Sequence, residues 1–359
     1  MTTQLRICLI ASSRFPVREP FAGGLEAHTH GLVSELSRRG HAVSLFAAPD
    51  SDPALDSTHL RVATYRGSAT ARRDLGAPPE LWMQEHHAYL ALMLELMSSG
   101  SRDFDVIHNN SLHHLPIAMA SAVRTPMVTT LHTPPVPWLE SALAFAPSHS
   151  RFVAVSEATR RSWSHVVDSS TILNGVDTTT WKPGRGGSGA VWSGRIVPEK
   201  GPHLAIDAAV AAGLAINLAG PRADPRYFES EIRPRLGTQV TYLGHLAQAE
   251  LHTLVASSAV AVVSPRWEEP YGLVAAEAMA CGTPVAAFAR GALPEIVCAD
   301  TGRLAAADDI DDLRRAIVEA SGLDRARTAF VAHERFSLER MADDYERLYR
   351  CMLTSDVAA

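Results

Sequence analysis

Cysteine is scarce in this 359-residue chain: Cys8, Cys281, Cys298 and Cys351 are scattered, and none forms a Cys-x-x-Cys pair or a Cys/His metal spacing. The scatter argues against a disulfide framework and reads as free thiols in a reducing compartment. Long apolar runs are also missing. The early hydrophobic stretch at 5–11 is too short to span a bilayer and lacks a signal-peptide layout, so it is expected to be a first strand and the protein is expected in the cytoplasm, with no transmembrane segment. Positive charge is not in excess either, because 33 Lys and Arg stand against 39 Asp and Glu, a formal net charge of −6. This disfavours nucleic acid as the main partner. Finally, no Gly-x-Gly-x-x-Gly follows the first strand, which disfavours a nicotinamide enzyme.

What is present is ordinary globular material, 46% hydrophobic and 20% charged, with the length of about two domains. Apolar segments and helical periodicities alternate in the α/β manner. Strands are expected at 5–11, 41–47, 60–65, 104–108, 127–131 and 152–155, with helices at 25–38, 81–97 and 112–123. A second series has strands at 190–193, 215–219, 240–243, 259–263 and 285–288, and helices near 203–212, 225–236, 248–256, 272–281 and 311–321. The glycine-rich Gly184-Arg-Gly-Gly-Ser-Gly189 between them reads as a hinge or linker. The chain therefore divides into Rossmann-like halves at 1–183 and 184–335 that face a cleft, plus a final helix at 336–359. In that helix Leu338, Met341, Tyr345, Leu348, Tyr349 and Met352 recur at three- and four-residue steps after a Ser337 cap. One face must be buried, and it is expected to pack back on the first half.

Residues 264–284 carry the densest chemical signal. A buried strand leads through the loop 266–271 into a helix whose free N–H groups lie at the carboxyl edge of a sheet, where anions bind. Glu277 is a lone carboxylate on that apolar helix and needs a ligand hydroxyl or a cation as partner. Glu269 lies eight positions earlier, a spacing that suits the two ends of a nucleotide-sugar. Arg195 and Lys200 follow another strand and can grip a diphosphate, and Gly23-Gly24 at a helix mouth lets backbone approach an anion. His108 and His132 stand at strand ends, whereas the pairs His86-His87 and His113-His114 show no zinc spacing. Asp50-Ser-Asp52 falls in a loop and Asp309-Ile-Asp311 at a helix cap, so neither implies a metal.

Together these pieces resemble a retaining glycosyltransferase of family 4, with the GT-B architecture of two facing Rossmann domains. The most specific element is Glu-x7-Glu, here Glu269-Pro-Tyr-Gly-Leu-Val-Ala-Ala-Glu277. Support comes from Gly23-Gly24, Leu131-His132, Val155-Ser156-Glu157, Asn174-Gly175-Val176-Asp177, Gly194-Arg195 through Lys200-Gly201, Gly244-His245-Leu246 and Gly291-Ala-Leu-Pro-Glu-Ile-Val297. Ala292 departs from the family, which more often shows a second glycine there. The resemblance implies a nucleotide-sugar donor, most commonly a UDP-sugar, a hydroxylated acceptor that is a small molecule, saccharide or lipid headgroup, and no metal or other cofactor. It also implies roles: Glu277 on the ribose, Glu269 on the transferred sugar, Arg195 and Lys200 on the diphosphate, and His132 near the sugar. Gly23, Gly24, Gly244, His245, Leu246, Tyr271, Gly272 and Leu273 complete the donor set. A nucleotide-sugar 2-epimerase of the same fold and a non-catalytic sugar-nucleotide binding protein are the alternatives.

Overall fold

The structure, a computed structural model, describes residues 4–55, 60, 62–147 and 149–355. The first half contains β1 (Arg6–Ile10), β2 (Ala42–Phe46), β3 (Val106–Asn109), β4 (Met127–Leu131), β5 (Arg151–Ala154) and β6 (Ser170–Thr171). The second contains β7 (Ala190–Ser193), β8 (Ile216–Ala219), β9 (Val240–Tyr242), β10 (Val260–Val263), β11 (Val285–Phe288) and β12 (Gly302–Ala305). Each set forms one parallel sheet, in the orders β2-β1-β3-β4-β5-β6 and β12-β11-β10-β7-β8-β9. The central strands are apolar on both faces because helices cover both: Ile7, Cys8, Leu9 and Ile10 are fully buried, as are Val285 to Phe288. This is the GT-B architecture read from the sequence.

The strand orders locate the ligand crevice without reference to any side chain. Strand order reverses between β1 and β3 in one sheet and between β7 and β10 in the other, and ligands of open α/β sheets bind beyond the carboxyl ends of strands at such reversals. The loops leaving those four strands are 11–23, 110–113, 194–201 and 264–272, and they hold Gly23, Arg195, Lys200, Glu269, Tyr271 and Gly272 of the residues singled out in the sequence.

Several expected elements take a different form. The stretch 60–65 is not a strand: residues 62–65 run as coil beside helix Glu80–Asp103, Tyr65 N–H donates to Gln84, and Arg61 lies outside the described residues. The helix expected at 112–123 begins only at His114, because the His113 ring accepts the Leu115 N–H as a cap and Pro116 fits only a first turn; it ends at Ala118 and a 3-10 turn follows. At 225–236 the helix starts at Pro225 but widens into a π turn over Phe228–Ile232 ahead of Pro234, which has no N–H to give back to the preceding turn. The glycine-rich stretch is not a loose linker. Gly184 N–H donates to Cys281 O (3.0 Å), Gly186 N–H donates to Ala256 O (3.1 Å), and a Cβ on Gly187 would stand 2.2 Å from Ser257 O, so the strip is packed on the second half.

The crossings between halves lie elsewhere. Val176 and Ser337 form a parallel bridge, with Val176 N–H donating to Phe336 O (2.7 Å) and Leu338 N–H to Val176 O (2.9 Å). Beyond this bridge helix Leu338–Ser355 returns to the first half as expected: Met341, Tyr345 and Tyr349 are fully buried in the core that contains Ile7, Leu9, Leu32 and Val128. Tyr349 Oη lies 2.7 Å from His108 Nδ1, His108 Nε2 lies 2.7 Å from Thr130 Oγ1, and Tyr345 Oη reaches the same hydroxyl at 3.0 Å. Strand-end His108 is thus a core histidine, kept neutral by burial with its pKa pushed down to about 3.

Candidate active site

A cavity of about 600 Å³ opens between the halves. It brings together Gly23, Gly24, His132, Arg195, Lys200, His245, Leu246, Glu269, Tyr271, Gly272, Leu273 and Glu277. Gly244 sets the turn before His245: its φ is +81° and its carbonyl accepts Gly220 N–H at 2.8 Å.

The wall of the second half is made by a strand-loop-helix turn. Gly272, at φ +93°, turns the chain from the loop into helix Leu273–Ala280, a left-handed conformation that favours glycine. Ala275 and Ala276 N–H both bond back to Gly272 O, while among the described residues the N–H groups of Gly272, Leu273 and Val274 at the cavity lip have no acceptor. Glu269 is seated firmly. Its Oε2 accepts Lys200 Nζ at 2.7 Å and Trp267 Nε1 at 2.9 Å, and its Oε1 accepts from none of the described residues. Its backbone is clamped by the following loop, since Ala292 N–H donates to Glu269 O (2.8 Å) and Gly291 approaches so closely that a Cβ there would lie 2.2 Å from the same oxygen. Gly291 has φ +56° and is required by that approach, whereas Ala292 has φ −81°, so the family's second glycine is dispensable in this chain.

Glu277 is 9% exposed and has no hydrogen-bond or ion-pair partner among the described residues. Burial therefore pushes its carboxyl up to about 8. Lys200 has two further N–H donors free to reach a phosphate while holding Glu269, and Arg195 lies 4.0 Å from Glu199 with its side chain about two-fifths exposed.

The opposite wall supplies His132, whose Nε2 lies 2.7 Å from Asn110 Oδ1; the amide oxygen places the proton on Nε2 and leaves Nδ1 as the acceptor. Burial, then the neighbouring His28 and His108, hold its pKa well below the ordinary value, so it is a neutral ring at pH 7 and not a cation. His28 packs edge-on at 4.9 Å and is itself neutral, pushed down to about 4 by burial.

Sequence reasoning passed over Glu26, in the first turn after Gly23-Gly24. It is 5% exposed and pushed up to about 7 by burial, opposed by its own N–H, by Arg195 across the cleft and by the Gly23 N–H. A carboxylate in a first helical turn usually only complements the helix dipole, and nothing in the local sequence distinguishes this one. Also unforeseen was the seam behind the cavity. Glu295 accepts the N–H groups of Glu157 and Ala158 at 3.0 Å each, Ser156 and Thr159 hydroxyls donate to Pro270 O at 2.6 and 3.0 Å, and Tyr271 Oη donates to Asn174 O at 2.7 Å. At the front, His245 Nε2 donates to Phe21 O (3.0 Å) and Gln248 N–H to Glu19 (3.1 Å). Asp309 accepts the Asp312 N–H as the expected helix cap, and Asp52, in its loop, accepts the Ala54 N–H.

Comparison with known proteins agrees with this geometry. Residues 22–180 match the model of Glycosyltransferase Family 4 and residues 189–333 that of Glycosyl transferases group 1. The glycogen synthase of Mycobacterium tuberculosis is 27% identical over 95% of this chain and 91% of its own length, and the phosphatidyl-myo-inositol mannosyltransferase of Mycolicibacterium smegmatis is 27% identical over 91% and 88%. Among solved structures, sucrose-phosphate synthase from Thermosynechococcus elongatus superposes with a TM-score of 0.75 at 20% identity over 98% of this chain and all of that one. Anabaena HepE, solved in complex with UDP-glucose, gives 0.74 at 19% identity over 97% and 100%. Two facing parallel sheets, a crevice at both strand-order reversals and family matches on either side of it make this chain a GT-B glycosyltransferase related to the family 4 enzymes, which moves a sugar from a nucleotide-diphosphate donor to an acceptor.

Proposed function

We propose that the protein is a retaining hexosyltransferase that takes a UDP-sugar, needs no divalent metal and works in the cytoplasm. The observation that carries this reading is the pairing of Glu269 and Lys200 at one end of the cavity with a partnerless Glu277 at the other. Between them lie the free N–H groups at Gly272, Leu273 and Val274, where a diphosphate fits. The ribose diol supplies two O–H donors to Glu277, and Glu269 Oε1 accepts a hydroxyl of the transferred sugar. The UDP-glucose bound to Anabaena HepE supports the choice of nucleotide, and scattered cysteines without a disulfide framework support the choice of compartment. The division into an acceptor-side domain at 1–183, a donor domain at 184–335 and a returning helix at 336–359 belongs to the same reading, with the paired strands at Val176 and Ser337 as its pivot.

The reaction follows from the charges. The donor C1–O bond breaks and its electrons go to the diphosphate; the acceptor oxygen bonds to C1 on the same face and its proton passes to the departing phosphate oxygen. Lys200, Arg195 and the helix N–H groups stabilise that oxygen as charge develops. Neutral His132 offers Nδ1 as an acceptor that orients a hydroxyl without competing for the anion. Calorimetry with UDP in excess chelator tests the reading: binding is expected to persist, and its complete loss on chelation overturns metal independence. Product analysis without acceptor separates transfer from 2-epimerisation.

A further inference from the structure

Beside the cavity, on the first half, aromatic rings form a continuous stacked wall. Tyr89 stacks on His113 with centroids 4.3 Å apart, His113 on His114 at 4.4 Å, and His114 on Trp138 at 5.2 Å. Trp82 stacks on His86 at 5.1 Å with their planes 9° apart, and lies 5.9 Å from Trp138. The inner end, Tyr89 and His113, lines the cavity, and at the outer end Trp138 is 58% exposed. The nitrogens of His86, His113 and His114 approach within 4.8 Å of one another, a spacing that invites a metal reading. The chemistry opposes it. His113 Nδ1 already accepts Leu115 N–H at 3.2 Å, which puts the proton on Nε2 and leaves that ring no lone pair for a metal.

We propose that this wall is an acceptor subsite for an oligosaccharide, with the reacting sugar in the cavity and at least one further ring stacked over Trp138 and Trp82. The proposal rests on the glycosyl-transfer reading and names its acceptor class. A pyranose has an apolar C–H face and a rim of hydroxyls, and so needs π faces interleaved with hydrogen-bonding groups. The wall has both. Its rings are Tyr, His and Trp, with no aliphatic side chain in the stacked series, and among the described residues His86 Nδ1 and, at the cavity, Thr133 Oγ1 are buried without a hydrogen-bond partner. A lipid chain or a flat aromatic alcohol leaves those atoms unsatisfied, whereas sugar hydroxyls bond to them. The Arg14–Glu85 pair, 2.7 Å between Nε and Oε1 and lining the cavity, adds polar groups at the junction.

Labelled protein on a glycan array, with UDP calorimetry in parallel, tests this. The wild type is expected to capture oligosaccharides of two or more units that share one terminal sugar. Trp138→Ala and Trp82→Ala are expected to weaken that capture at least about tenfold, Trp138→Phe to retain it, and all three to bind UDP within about twofold of wild type. Capture of no oligosaccharide by a protein that binds UDP overturns the subsite. So does equal capture by Trp138→Ala, or Trp138-dependent binding of a planar aromatic alcohol in place of any glycan. Glycan capture without UDP binding instead strikes the donor reading and leaves the subsite standing.

Discussion

At the scale of residues, the site holds carboxyl groups where water does not reach, and that has a measurable signature. Glu277 titrates near 8 in the fold and near the ordinary carboxylate value when unfolded. The unfolded chain therefore releases this proton first as pH rises. Glu277 costs nothing below about 4.5, destabilises progressively up to about 8, and beyond that holds a constant penalty on the order of 3–5 kcal/mol. Glu277→Gln is accordingly expected to raise Tm at pH 8 and leave it unchanged at pH 4; equal Tm shifts at both values refute the assignment. Bound ribose hydroxyls favour the carboxylate, so UDP binding at pH 7 is expected to release protons and to tighten as pH approaches 8. Calorimetry in buffers of different ionisation enthalpy reads this, and Glu277→Gln should abolish it while weakening UDP. Arg195→Ala and Lys200→Ala are expected to lower kcat about 100-fold with smaller effects on donor affinity, provided their contacts strengthen as phosphate charge develops. Steady-state kinetics against a fixed acceptor separates these effects.

Individual elements show where the sequence was legible and where it was not. The strands at 190–193 and 285–288 match their sequence boundaries because each is a short buried run bounded by glycine or proline, and the helix at 248–256 does so because Ser257 and Ser258 follow it. Elements under tertiary control were hidden. β6 has only Ser170 and Thr171 and exists because β5 offers an edge, and helix Glu157–Trp163 begins where Glu295, far along the chain, completes its cap. In the site the motif residues were visible as chemistry, Glu277 above all, since a lone acid on an apolar helix breaks the pattern. Glu26 and the ring wall were not visible, because their meaning comes from burial and from stacking across three separate segments. The loop 290–293 makes this dependence testable. Gly291→Ala adds a Cβ into Glu269 O at a left-handed φ, and is expected to cost roughly 1–3 kcal/mol and to lower kcat by displacing Glu269. Ala292→Gly is expected to leave kcat unchanged, because that backbone is already in an ordinary helical conformation. Parallel denaturation and kinetic measurements decide, and a benign Gly291→Ala contradicts the clamp.

For the whole molecule, the question is what lets two domains share a reaction centre without drifting apart. No helix among the described residues is long and apolar enough to cross a membrane, and helix Leu338–Ser355 buries its apolar face in the core of the first domain. It follows helix Arg325–Phe336 of the second domain across the Val176–Ser337 bridge and buries Met341, Tyr345 and Tyr349 beneath the first sheet. Of its polar links, Arg39 reaches the exposed Asp343 at 2.5 Å and contributes little, whereas the buried His41 meets Glu346 at 3.0 Å. The buried side chains carry the tie, each large one being worth a few kcal/mol. Truncation after Phe336 leaves His108 and Thr130 without their tyrosine partners and opens the core beside β1, β3 and β4. Hydrogen exchange should then accelerate in those strands far more than in β7, β10 and β11, and transferase activity should be lost because Glu269 and His132 no longer meet across a fixed cleft. Tyr349→Phe keeps the ring and removes only the bond to His108, so it is expected to cost about 1–2 kcal/mol and retain activity. If the truncated protein kept its exchange protection in β1, β3 and β4 and its full turnover, the helix would be a surface appendage, and the cleft would be held by the seam behind the cavity and the His245 and Gln248 contacts at its front.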